Sequence, residues 1–113
     1  MRLIGKSKLI KLKSKNIGHR NLSIEIDRLI EEVENNNWIN DLDFKKSRPD
    51  ADSVHSDGFY FLNISIHLTM ILFEFNNEQE ATIIWVGNHQ EYKRTFKNNK
   101  NTIEKWLKSR NYI

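Results

Sequence analysis

The chain has 113 residues and a formal net charge of +3, and apolar residues make up 38% of it. This length and composition are typical of one domain with a modest core, so a single domain over residues 1–113 is expected. Cysteine is absent, which excludes disulfides and thiolate metal sites. The longest apolar stretch, around Met70 to Phe75, is far shorter than the roughly 20 residues of a membrane span. With no signal peptide evident, a cytoplasmic location away from membranes is expected.

The first third of the chain has helical periodicity after a short strand or lead-in at Leu3-Ile4. Apolar residues three and seven positions apart predict a helix over Lys6 to Lys15. Gly18 is a candidate for a left-handed helix stop. From Leu22 to Val33 the apolar spacing is that of a second, antiparallel helix. The polar segment from Trp38 to Asp57 is expected to be a loop.

The residue pattern in the second half of the chain predicts strands and one more helix. Tyr60 to Ile66 alternates, Leu68 to Phe75 is apolar on both faces, and Ala81 to Val86 follows the turn at Asn76-Asn77-Glu78. A β-bulge near His67 is one interpretation of the missing turn signal there. Asn101 and Glu104 have capping-box spacing and predict a helix from Asn101 to Arg110. The order predicts an α+β fold, with two N-terminal helices and a C-terminal helix packed on a small, mainly antiparallel sheet.

Basic residues are concentrated at both ends of the chain. Lys8, Lys11 and Lys15 belong to the N-terminal group, and Lys93 and Arg94 begin the C-terminal one. If the two ends meet in the fold, they form an anion-attracting face suited to phosphate. The alternative is that these lysines only keep a small protein in solution.

The four histidines show no zinc-ligand spacing, and HExxH, P-loop, GxGxxG and GxSxG motifs are absent, so no metal or cofactor is expected. Metal-free acid–base chemistry is the remaining enzymatic class. His89 and Tyr92, three positions apart, would share one side of a helical turn after Gly87. Lys93 and Arg94 follow at once and can hold a phosphate.

RNA cleavage without metal needs this set of groups. One group removes the 2′-hydroxyl proton, another protonates the leaving 5′-oxygen, and cations stabilise the charge on phosphorus. The alternative is that His89 caps a turn and Tyr92 only packs on the core. His55 and His67 lie towards opposite ends of the first strand, so they are not expected to reach the same scissile bond.

Two blocks carry a family resemblance. They run from Val54 to Ile64, where the chain enters its first core strand, and from Ile84 to Tyr92, which contains Trp85-Val86-Gly87 followed by His89 and Tyr92. With these blocks the chain resembles the HigB toxins of type II toxin–antitoxin systems, within the RelE/ParE superfamily. The resemblance covers nearly the full length in element order.

The resemblance implies a compact α+β toxin that cleaves mRNA on the translating ribosome and is neutralised by a HigA-like antitoxin with a helix-turn-helix domain. By matching position it makes His89 and Tyr92 the active-site pair. Asn88 stands where the family usually has threonine, and Lys93 where it commonly has an acidic residue. Relatives usually carry a cation near Leu68 to Met70, which this chain lacks, and His67 is a candidate for part of that role.

Three hypotheses follow. The first is a ribosome-dependent endoribonuclease with His89, Tyr92 and His67 as catalytic residues and His55 as an accessory one. In it, Lys93, Arg94 and the lysines at positions 8, 11 and 15 bind phosphate of mRNA and ribosomal RNA. The second is a non-catalytic ParE-type toxin that acts on a DNA topoisomerase. The third is a degenerate relative that only binds an antitoxin or RNA.

Overall fold

The protein is an α+β structure of five helices and one five-stranded mixed sheet, described by a computed structural model over residues 1–113. In chain order the elements are β1 (Arg2–Ile4), α1 (Lys6–Lys15), α2 (Arg20–Glu34), α3 (Asp41–Ser47), β2 (Asp52–His55), β3 (Phe59–Ile64), β4 (His67–Glu74), β5 (Glu80–Asn88), α4 (His89–Phe96) and α5 (Lys100–Ser109). The strands lie in the order β1-β5-β4-β3-β2. Only β1 and β5 run parallel, so the expected mainly antiparallel sheet is confirmed.

Helices cover both faces of the sheet. On one face, Tyr60, Leu62 and Ile71 pack against the apolar stripes of α1 and α2 and against Phe44 of α3. On the other face, a smaller core forms against α4 and α5. Its members are Val54, Phe59, Phe61, Leu68, Met70, Ile84, Phe96, Ile103 and Leu107. None of the five helices combines the length and hydropathy that crossing a bilayer requires.

The structure has five helices, whereas three were expected. The segment from Trp38 to Asp57, expected to be a loop, contains α3 and β2. The side chain of Asn40 caps α3 by accepting from the backbone N–H of Asp43 at 2.9 Å. This seven-residue helix buries only Phe44, so it leaves no periodic apolar pattern to detect.

Several local predictions are also corrected. Ser65 and Ile66 form the β3–β4 turn, with Ser65 at φ 60. The register shifts lie instead in β5, where Ile84 is the extra residue opposite Met70 and Ile71, and in β2, where Val54 is extra between Ser53 and His55. Helix α5 is capped by Asn99, which accepts from two backbone N–H groups, rather than by Asn101.

Gly18 is also not the left-handed stop, because its φ is not positive. Helix α1 ends instead at Asn16, whose backbone N–H bonds to the carbonyl oxygen of Lys13.

Candidate functional site: two clefts at the end of β4 and β5

The chemistry-bearing residues gather where β4 begins and β5 ends. His67 pairs in register with Asn88, and Leu68 pairs with Gly87. Helix α4 starts directly after β5, at His89. Asn88 fixes that exit through a capping box, in which its side chain accepts from the N–H of Glu91 at 2.8 Å. The carboxylate of Glu91 in turn accepts from the N–H of Asn88 at 2.9 Å. Asparagine and threonine both serve as N-caps, so Asn88 can do the work of the family's usual threonine.

Gly87 is part of strand β5 and is buried there, so it does not end the strand as the sequence pattern suggested. A Cβ atom at this position would lie 2.6 Å from two ring carbons of Trp85 and 3.3 Å from the Cβ of Glu91. The glycine is therefore required by close approach, because the indole ring and the first turn of α4 occupy the space of a side chain.

A first cleft, the His89 cleft, has a volume of about 320 Å³. It is lined by His89, Tyr92 and Lys93 of α4, so these three side chains border the same cleft. Its other lining residues are Asp50, Asp52, Phe61, Leu62, Asn63, Leu68 and Asn98. The cleft therefore brings an imidazole, a phenol and an ammonium group together at the surface.

The Tyr92 ring is held in a defined position. It packs edge-on against Phe61, with ring centroids 5.0 Å apart, and its hydroxyl donates to Oδ1 of Asn98 at 2.9 Å. Burial, followed by the nearby negative charge of Asp52, raises the pKa of Tyr92 above its ordinary value of 10. Tyr92 is therefore a protonated hydrogen-bond donor at neutral pH rather than a base.

The two aspartates in this cleft are in different electrostatic situations. The guanidinium of Arg48 donates to both oxygens of Asp50, at 3.0 and 2.9 Å, and also to Glu32 at 3.1 Å. Burial works to lower the pKa of Arg48, but the bonds to Asp50 and Glu32 outweigh it and raise the pKa. Asp52 makes no ion pair, so its charge acts on the cleft uncompensated.

A second cleft, the His67 cleft, lies on the face of the sheet covered by α1 and has a volume of about 370 Å³. Lys8, Lys11 and Lys15 line it together with His67 and Glu91. The structure thus separates His67 from His89 and Tyr92, which were expected to act as one catalytic set. Alternation along β4 explains the split, because His67 and Leu68 point to opposite faces of the strand.

His67 is 7% exposed, and its Nδ1 atom has no hydrogen-bond partner in the protein. Burial lowers the pKa of His67 below its ordinary 6.5, and the ring of His19, with its centroid 6.4 Å away, lowers it further. Glu91 acts in the opposite direction, and His89 adds a small lowering. His19 itself caps α2, since its Nδ1 accepts from the N–H of Leu22 at 3.1 Å.

The family model of HigB_toxin, the RelE-like toxic component of a toxin–antitoxin system, matches residues 23–95. The chain belongs to the HigB toxin family. The family implies an antitoxin as partner. The matched segment begins inside α2 and ends inside α4, and it contains His67 and the α4 residues that line the His89 cleft. Helix α1 with its lysines lies before it. No curated protein matches the chain.

Two predicted site residues of this HigB-family toxin lie outside both clefts. Arg94 is exposed on α4 and lines neither. His55 lies at the opposite end of the sheet, where its Nδ1 accepts from the N–H of Asp57 at 3.1 Å. The fold therefore places His55 away from the His89 cleft.

The central strand of the toxin supplies no cation. Leu68, Thr69 and Met70 are all buried, and the hydroxyl of Thr69 donates to the carbonyl oxygen of Trp85 at 2.9 Å. Sequence reasoning missed Asp52, Asn63 and Asn98 as lining residues. Asp52 lies on β2 and Asn63 on β3, and only Asn98 lies in a loop, so no local motif in the sequence connects the three. No group of three or more histidine, aspartate or glutamate residues is arranged to hold a metal ion.

Proposed function

We propose that this toxin is a metal-independent endoribonuclease that cleaves mRNA on the ribosome, and that residues 1–113 act as one toxin domain. The observation that carries the proposal is the convergence of His89, Tyr92 and Lys93 on one open cleft at the end of β5. Metal-free RNA cleavage needs proton transfer from the 2′-hydroxyl and to the leaving 5′-oxygen, together with a hydrogen-bond donor and a cation at the phosphate.

Each side chain has a role that fits its surroundings. The exposed imidazole of His89 is the group that transfers a proton, since histidine can both accept and donate one near neutral pH. Tyr92, which its surroundings keep protonated, would exchange its bond to Asn98 for a hydrogen bond to a phosphate oxygen, because its hydroxyl carries a single proton. Lys93 balances the charge that builds on the phosphoryl group in the transition state.

The remaining contacts of the toxin would be made with the larger substrate. Arg94, Lys8, Lys11 and Lys15 are exposed and basic, and they would bind backbone phosphates of the mRNA or of ribosomal RNA. The antitoxin partner that the family implies would be a HigA-like protein with a helix-turn-helix domain.

A degenerate toxin that binds antitoxin or RNA without cleavage is the second candidate. It is favoured by the uncompensated Asp52 in the His89 cleft and by the apolar side chains where relatives carry a cation. Asp50 is a smaller obstacle to phosphate, because Arg48 already pairs with it.

The deciding experiment is cleavage of a reporter mRNA by the purified toxin with translating ribosomes, with the new 5′ ends mapped by primer extension. The wild type should cut, and His89→Ala should reduce the rate by about 10² to 10⁴, the usual contribution of a general acid or base. Gln90→Ala is the matched control, because Gln90 is exposed on the same turn and lines neither cleft.

Three outcomes would reject the proposal. A folded His89→Ala variant that cuts as fast as the wild type would remove His89 from the reaction. Intact mRNA with growth arrest and DNA-damage signalling would indicate a topoisomerase poison. Expression without any growth defect would favour the degenerate toxin.

A further inference from the structure

Helix α1 divides its lysines between two sides. On one side, Lys6 pairs with Glu34 and Lys13 with Asp27, both on α2. On the other side, Lys8, Lys11 and Lys15 line the His67 cleft and pair with no carboxylate. Their spacing of three and four residues puts them on one helical face. The cleft is therefore bordered by three ammonium groups whose charges the fold leaves unmatched.

The opposite wall adds little negative charge. Glu91 is the one carboxylate that lines the cleft, and its Oε1 already accepts from the backbone N–H of Asn88. The other polar groups there are Asn16, Asn88 and the buried His67. The cleft thus attracts anions, and its volume of about 370 Å³ lies within the range of roughly 300–1,000 Å³ usual for ligand sites.

His67 has no structural hydrogen bond through Nδ1 that would explain its burial. Buried polar atoms are nearly always paired, so an unpaired one beside a cleft points to a functional role. The imidazole is 7% exposed and lines the same cleft as the three lysines. This is a second indication of a ligand, independent of the lysines.

Only one pair of residues, which lie opposite each other in β4 and β5, separates the two clefts. Gly87 lines the His67 cleft, and its partner Leu68 lines the His89 cleft. The lysine row spans seven residues of α1, or roughly 10 Å along the helix axis at about 1.5 Å per residue. A row of that length suits a continuous polyanion that crosses the strand ends better than it suits one free phosphate.

We propose that the His67 cleft is a second phosphate-binding site, which holds the backbone of the same RNA strand next to the phosphate that lies in the His89 cleft. This inference rests on the proposed function, because it takes RNA as the ligand. Lys8, Lys11 and Lys15 contact the backbone, and His67 is a binding residue on the floor of the site rather than a member of the catalytic group.

The test compares two lysines of the same helix. Binding of a short single-stranded RNA is measured over a range of salt concentrations in the His89→Ala background, where cleavage does not interfere. Lys11→Gln should weaken binding several-fold and reduce the slope of log K against log salt by about 0.7, the value for one lost phosphate contact on a single strand. Lys13→Gln, which removes the same charge from the other side of α1, should leave the slope unchanged.

A local signal completes the test. The ring-proton NMR signals of His67 should shift on addition of the RNA, and far less on addition of inorganic phosphate at the same phosphate concentration. Equal slopes for Lys11→Gln and Lys13→Gln, or unmoved His67 signals, would overturn the proposal. Equal shifts with inorganic phosphate would also overturn it, because the cleft would then be a site for the free anion.

These results are separable from the test of the proposed function. If the wild type fails to cut mRNA but Lys11→Gln alone changes the salt slope, the second site is supported and the endoribonuclease is rejected. If the wild type cuts but the two lysine variants bind RNA alike, the endoribonuclease stands and the second site is rejected.

Discussion

Replacement of Gly87 by alanine should destabilise the toxin through the indole ring of Trp85. The added Cβ would lie 2.6 Å from two ring carbons, well inside van der Waals contact. The ring has little room to move, because it packs edge-on against Phe96 with centroids 5.1 Å apart and against Phe61 at 6.2 Å. Overpacking of this kind typically costs about 1–3 kcal/mol. For a chain of this size each kcal/mol lowers Tm by roughly 4 °C.

The assay is chemical and thermal denaturation, with Gly18→Ala as the matched control. No atom lies within 4 Å of the Cβ position at Gly18, and its φ is not positive, so alanine there should be neutral or slightly stabilising. A loss below about 0.5 kcal/mol for Gly87→Ala would refute the steric argument, since that is the usual range of changes at unconstrained surface sites.

A double-mutant cycle identifies the clash more directly. Trp85→Leu removes the two ring carbons, so Gly87→Ala should cost far less in that background than in the wild type. Residues in contact typically show coupling energies of about 0.5–3 kcal/mol. Additive losses would mean that Gly87 acts through some contact other than the Trp85 ring.

Three further predictions concern the surroundings of the clefts. Asn88→Ala should cost about 1 kcal/mol by loss of the α4 cap, whereas Asn88→Thr should retain most of the stability in urea denaturation; equal losses would refute the capping role. Burial and His19 lower the pKa of His67, so as the pH falls below about 6.5 the unfolded chain binds a proton more readily than the folded protein does. The free energy of unfolding should therefore decrease there. His67→Gln should remove that part of the decrease, and an unchanged pH dependence would contradict the lowered pKa. Arg48→Ala should lose about 1 kcal/mol, as expected for partly exposed ion pairs, and a change of less than about 0.2 kcal/mol would show that the bonds to Glu32 and Asp50 add nothing.

The elements that sequence could predict are those with a long apolar period. Helix α2 and strands β3 to β5 each repeat their buried positions several times, and α1 has helical spacing of its apolar residues although only Leu9 is buried, so the existence and order of these elements were predicted correctly. Helix α3 buries only Phe44, and α4 buries only Phe96, so neither has a repeat to detect. Their positions depend on capping side chains and on contacts with distant residues.

The candidate site divides in the same way. His89, Tyr92 and Lys93 lie within one turn of helix, so local spacing was enough to bring them together. The position of His67 depends on which face of β4 it occupies and on where α1 packs, and neither is visible in a short motif. Alternation alone could have shown that His67 and Leu68 face opposite sides. Asp50 lies in a loop and Asp52 lies on the edge strand β2, and only the tertiary fold brings them to the His89 cleft.

The capping box at Asn88 makes the first turn of α4 a shared wall of both clefts. Glu91 lines the His67 cleft, whereas His89 and Tyr92 line the other, and all three orientations follow from where the helix begins. A change in the cap should therefore alter RNA binding and RNA cleavage together. Substitution of Lys11 should instead affect binding alone, and substitution of His89 should affect cleavage with little loss of binding. Comparison of these three variants thus separates the wall that both clefts share from the residues that act in one cleft only.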